Sequence, residues 1–206
     1  MGGLLSYAAG ATTVRDRLAG IVSLGSPYRF GSGNTALVGL GKLIEGLHFT
    51  GLFDSNPLLP LRTLGRALRY PRPILDSTYW PRFVRAWRPK GMEPDVLDEF
   101  LARSFEATSA RVTLDLAMGG ERDSVGGGGR VDYGVAFRAL DTPLLVIAGT
   151  EDALAPVPAV RRGYQESGSH DKTFRVFPLG HIDLVLGREA PTTTWPLIRD
   201  WLLRHA

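Results

Sequence analysis

The sequence predicts an α/β fold built on a parallel sheet, and three short apolar runs carry that prediction. Residues 18–24 (LAGIVSL) close on Gly25-Ser26-Pro27, residues 143–148 (PLLVIA) exit at Gly149, and residues 173–177 (TFRVF) stop at Pro178. Runs that are continuously apolar, rather than alternating, suit strands covered by helices on both faces. Gly or Pro at each exit ends the strand. Helical segments lie around them, and the strand–helix–strand–helix order is that of a doubly wound domain.

Each helix has its own signal. Residues 4–11 read as a short helix of small residues, and 158–166 as another. The clearest is 195–204, where Trp195, Ile198, Trp201 and Leu202 recur at helical spacing and Pro196 stands in the first turn. Between Tyr28 and Leu140 the pattern changes. Gly and Pro punctuate 31–73, leaving helical pieces over 35–47 and 60–69. A firmer helix over 94–105 opens on Pro94 and carries Leu97, Phe100, Leu101 and Phe105 on one face. Residues 119–134, with four consecutive glycines, read as a mobile connector. No Lys-Ser/Thr follows those glycines, so they do not form a phosphate loop. The division that results is a core of residues 1–30 and 134–206, interrupted by a helical insertion, 31–133.

Composition narrows the class further. A chain of 206 residues suffices for one domain with a substantial core, and 44% hydrophobic with 22% charged residues excludes a disordered chain. No apolar run approaches the roughly 20 residues that cross a bilayer, so no membrane span is expected. The first residues lack the basic start of a secretory leader, and the location expected is cytoplasmic. The chain has no cysteine, which excludes disulfides, a thiolate nucleophile and cysteine metal sites within it. The net charge of +3 is unevenly spread: Arg62, Arg66, Arg69, Arg72, Arg82, Arg85, Arg88 and Lys90 face the single acid Asp76. Tyr70, Tyr79, Trp80 and Trp87 interleave with them. No nucleic-acid motif accompanies this stripe, and it reads as a solvated helix face.

Chemistry concentrates after the second and third strands. In Gly149-Thr150-Glu151-Asp152-Ala153-Leu154-Ala155-Pro156 a carboxylate follows a buried strand, at the end where open α/β sheets place their ligands. Twenty-nine residues on, His181 stands in Gly180-His181-Ile182-Asp183-Leu184, again just past a strand. An acid and a histidine on adjacent strand ends can meet, the acid fixing the imidazole tautomer and stabilising its charged form. Glu151 competes for the acid's place, and the spacing to Pro156 favours Asp152. Asp183 is too close to His181 for that role and is expected to cap or bond locally. His48, His170 and His205 are expected at the surface.

The G-x-x-D-x-x-x-P and G-H-x-D-L runs resemble the last two triad motifs of the α/β-hydrolase family, in the family's chain order of nucleophile, acid, histidine. The helix over 190–202 resembles its final helix. The resemblance implies a partial α/β-hydrolase fold, with 31–133 as a cap in which Leu61, Leu64 and Leu68 line or support an acyl pocket while Arg62, Arg66 and Arg69 face solvent. It implies a serine hydrolase of carboxylic esters or related acyl compounds, with Asp152 and His181 catalytic and with no metal or organic cofactor. The implied partner is a small-molecule substrate, not nucleic acid.

No serine of the chain lies in the family's G-x-S-x-G elbow. Met1-Gly2-Gly3 resembles the end of that motif, so the nucleophile is expected just before Met1, whose backbone N–H would then serve the oxyanion hole. Ser, Asp or Cys could fill the missing position, and Met-Gly-Gly leans toward Ser. Ser26, the nearest lookalike, lacks the flanking glycines and reads as a strand-end residue near the site. The chain alone is expected to be inactive and poorly folded. The alternative is a non-catalytic relative with a binding role or none.

Overall fold

The computed structural model describes residues 2–11, 15–28, 39, 42–43, 46, 50–51, 55, 58–109 and 133–206. Its elements run α1 (Gly2–Gly10), β1 (Ile21–Leu24), β2 (Leu58–Leu59), α2 (Leu61–Leu68), α3 (Arg72–Leu75), α4 (Pro94–Arg103) and β3 (Thr108–Ser109). They continue with α5 (Tyr133–Arg138), β4 (Leu144–Gly149), α6 (Val157–Glu166), β5 (Lys172–Phe177), α7 (Asp183–Leu186) and α8 (Thr194–His205). Strands β1, β4 and β5 form a parallel sheet in the order β1-β4-β5, with Ile21 opposite Leu144 and Leu144 opposite Lys172. Strands β2 and β3 make a short antiparallel pair.

The central strand organises the core because every residue of β4 is buried. Its side chains alternate between two layers, as the pleat requires. Leu144, Val146 and Ala148 pack with Tyr7, Ile21, Tyr28, Phe137, Leu140 and Val160 on the side of α1, α5 and α6. Leu145 and Ile147 pack with Leu179, Leu184 and Trp201 on the side of α7 and α8. Each Leu, Ile, Val or Phe side chain among them contributes roughly 1.5–3 kcal/mol on leaving water. The expectation of continuous burial fails at the flanking strands. In β1 only Ile21 and Ser23 are buried, and in β5 Arg175 and Val176 are exposed, because each has a strand neighbour on one side only among the described residues.

Segment 58–109 builds a second apolar cluster from Leu75, Trp87, Met92, Leu97 and Leu101, with Leu68, Phe100, Phe105 and Ile182 packed on it. Helix α2 meets α4 through Gly65, where a Cβ would lie 2.6 Å from the Leu101 carbonyl oxygen and from the Phe105 ring. That close approach turns Leu64 outward to 48% exposure, so Leu61 and Leu68, rather than Leu64, flank the packed face. Arg62, Arg66 and Arg69 are exposed. The helix expected over 35–47 lies mostly outside the described residues. So does the connector over 119–134, except that Tyr133 and Gly134 open α5. Among the described residues no helix is long and apolar enough to cross a membrane.

Candidate active site

The loops leaving β4 and β5 on the same edge of the sheet place Asp152 beside His181. The Asp152 side chain is fully buried, and its Oδ2 lies 2.8 Å from His181 Nδ1. Its other oxygen, Oδ1, accepts hydrogen bonds from the backbone N–H groups of Leu154 (2.9 Å) and Ala155 (2.7 Å). Both oxygens of Asp152 are engaged: one is held by the turn that follows it, which aims the other at the imidazole. With Nδ1 directed at Asp152, the ring's Nε2 faces the opposite way. The His181 side chain keeps 30% exposure, so a reacting group can reach it. Glu151 is not the partner; its Oε1 lies 3.2 Å from the Arg82 guanidinium.

The exit of β1 reaches the same corner. Gly25, at φ +53°, lies where a Cβ would stand 3.0 Å from both Asp152 Oδ2 and His181 Nδ1. In the sequence Gly25 is legible only as a strand stop, because nothing in its neighbours reports the close approach. Ser26 is buried, and its Oγ has no hydrogen-bond partner among the described residues. It packs against Gly3, where a Cβ would collide with it, so the start of α1 borders the acid–base pair through Ser26 and Gly25. Gly2 has open space around it, and Met1 lies outside the described residues. Hence Gly3, through Ser26 and Gly25, borders the edge of the sheet where Asp152 and His181 meet.

The remaining histidines and acids sort differently. His170 is exposed, and His48 lies outside the described residues. His205 is anchored rather than free: Nδ1 bonds the Trp201 carbonyl at 2.7 Å, Nε2 meets Asp171 at 2.9 Å, and the ring stacks on Trp201. Those contacts raise its pKa, the Trp201 carbonyl most, then Asp171. Asp183 bonds locally, as the sequence leads one to expect, accepting from the Gly180 N–H at 2.9 Å, and it also accepts from the N–H of Arg88, ninety-five residues away. The arginine stripe also meets acids from elsewhere in the chain: Arg62 pairs with Glu106, Arg72 with Asp98 and Arg88 with Glu189.

No family model matches the chain. No curated protein matches it in sequence. Its fold, by contrast, has clear relatives among solved structures. A monoacylglycerol lipase of Paleococcus ferrophilus is 17% identical with a TM-score of 0.60, over 99% of this chain and 65% of its own. A thermophilic esterase from Thermogutta terrifontis is 20% identical (TM-score 0.54), and a monoglyceride lipase from Saccharomyces cerevisiae is 13% identical (TM-score 0.55). Each match covers 99% of this chain and 62% of the relative. The chain thus spans a little under two thirds of the length of these proteins. Its parallel sheet, the order of its elements and these neighbours agree: the chain has a partial α/β-hydrolase fold.

Proposed function

We propose that the chain carries the acid and base of a serine hydrolase acting on a carboxylic ester or related acyl substrate. The 2.8 Å contact between Asp152 Oδ2 and His181 Nδ1 at neighbouring strand ends is the observation that supports it. In this reading a serine hydroxyl, supplied by chain outside residues 1–206, attacks the acyl carbon. His181 Nε2 takes its proton and returns it to the departing alcohol, and Asp152 stabilises the imidazolium between the two transfers. Water then repeats the cycle on the acyl-enzyme. Lipase and esterase neighbours support the substrate class, and residues 31–133 would form a cap over the site.

The test is expression of residues 1–206 beside a version extended upstream, each assayed with a chromogenic short-chain ester. The extended protein should turn over the ester and lose about a factor of 10⁶ on His181→Ala, while 1–206 shows no turnover. Activity of the extended protein that survives His181→Ala would refute the assignment. Activity of 1–206 itself, abolished by His181→Ala, would place the nucleophile inside the chain, with Ser26 examined first.

A further inference from the structure

Two residues after His181, the Asp183 side chain is fully buried. Its Oδ2 accepts hydrogen bonds from the backbone N–H of Gly180 at 2.9 Å and of Arg88 at 2.6 Å. Its Oδ1 is buried without a hydrogen-bond partner among the described residues and faces Gly91, where a Cβ would lie 2.6 Å from it. At Gly180 a Cβ would lie 2.6 Å from Asp183 Oδ2 and 2.8 Å from the Arg88 nitrogen. Glycine before His181 is therefore demanded by a chain that passes against it. More bonds run along the same seam. The Ile182 N–H donates to the Ala86 carbonyl and the Arg188 N–H to the Gly91 carbonyl, each at 2.9 Å. The Arg88 guanidinium reaches the Pro178 carbonyl at 3.1 Å and pairs with Glu189.

We infer that Asp183 is a positioning residue: its carboxylate ties residue 180, which precedes His181, to residue 88, so that segment 86–91 holds the histidine loop in place. A buried carboxylate is expensive unless it is hydrogen-bonded, and one that served only to cap α7 would need no partner ninety-five residues away. Burial pushes the Asp183 carboxyl up in pKa; the Arg88 and Gly180 N–H groups and the Arg88 charge oppose this, while Asp76 adds to it. The bond to Gly180 acts on the backbone immediately before the imidazole. The bond to Arg88 makes that backbone position depend on the segment containing Trp87, itself part of the second apolar cluster.

The inference uses the reading of His181 as the base, but its test does not need turnover. Backbone amide exchange over residues 86–91 and 180–182, with the Nδ1 proton resonance of His181, is compared among Asp183→Ala, Asp183→Asn, Arg88→Pro and Arg88→Ala. Asp183→Ala removes the one oxygen that accepts both bonds, and Arg88→Pro removes the N–H donor to Asp183 together with the guanidinium contacts that Arg88→Ala removes by themselves, leaving Asp183 intact. Both should speed exchange over 86–91 at least tenfold and shift or broaden the His181 signal. Asp183→Asn keeps an acceptor oxygen and should stay near wild type, and Arg88→Ala should fall between. Should Asp183→Ala fail to fold, Arg88→Pro decides alone. Wild-type exchange or an unmoved His181 resonance in that variant overturns the inference. Absence of turnover in the extended protein, with these signatures intact, would count against the hydrolase reading only.

Discussion

Gly25 lies against His181: a Cβ on residue 25 would stand 3.0 Å from the imidazole Nδ1 and 3.2 Å from Cε1. Its φ of +53° is in the left-handed region, where a side chain costs roughly 1–2 kcal/mol. Gly25→Ala therefore meets two penalties at once, backbone strain and displacement of the ring from Asp152. The expected outcome is a folded protein, destabilised by about 1–3 kcal/mol in chemical denaturation, whose His181 Nδ1 proton signal is lost. An unaltered signal would show that the ring tolerates the methyl group.

Asp152→Asn should leave the turn intact, because the amide oxygen can still accept from the Leu154 and Ala155 N–H groups. What changes is the group facing Nδ1, which now includes a donor and stabilises the wrong tautomer. In the extended enzyme turnover should fall by about 10⁴ with the thermal midpoint moved by only a few degrees. A loss of less than tenfold would remove Asp152 from the acid's role.

Tyr7 makes stability depend on alkaline pH. Burial pushes its phenol up to about 12 from an ordinary 10.0, opposed by its hydrogen bond to Ser23, and the hydroxyl donates to Ser23 Oγ at 2.7 Å. Since the folded value is the higher one, the neutral phenol is favoured in the folded state. That stability is fully present below pH 10 and is lost as pH rises toward 12. The span corresponds to about 3 kcal/mol. Urea titrations at pH 9 and pH 11.5 should show the decline, and Tyr7→Phe should flatten it.

Trp201 is fully buried on the face of the sheet that includes Leu145 and Ile147, with Gly20 so close that a Cβ there would lie 2.4 Å from the indole by backbone geometry alone, inside contact distance. Trp201→Ala empties that space and removes the ring on which His205 stacks. The expected loss is about 3–5 kcal/mol, read from equilibrium denaturation. A cost under 1 kcal/mol would mean that α8 closes the gap by moving onto the sheet.

The strands, the outer helices and the pairing of Asp152 with His181 were legible in the sequence because each rests on a local signal. A buried strand is an uninterrupted apolar run, a helix repeats its face every three or four residues, and an acid or histidine just past a strand shares the strand's end. Spacing to Pro156 was enough to choose Asp152 over Glu151, and the structure turns Glu151 toward Arg82 instead. Tertiary structure alone decided the rest. Leu64 has the periodicity of a packed residue, yet it faces outward because Gly65 lets α2 approach α4 by its own backbone. The half-exposed character of β1 and β5 follows from their places in the sheet, which composition does not record. The contacts of Gly25 with His181, and of Arg88 with Asp183, set the backbone of the first residue against a side chain far along the chain. Every residue but proline carries the same N–H, so a hydrogen bond of that kind leaves no mark on the sequence at the donor's position.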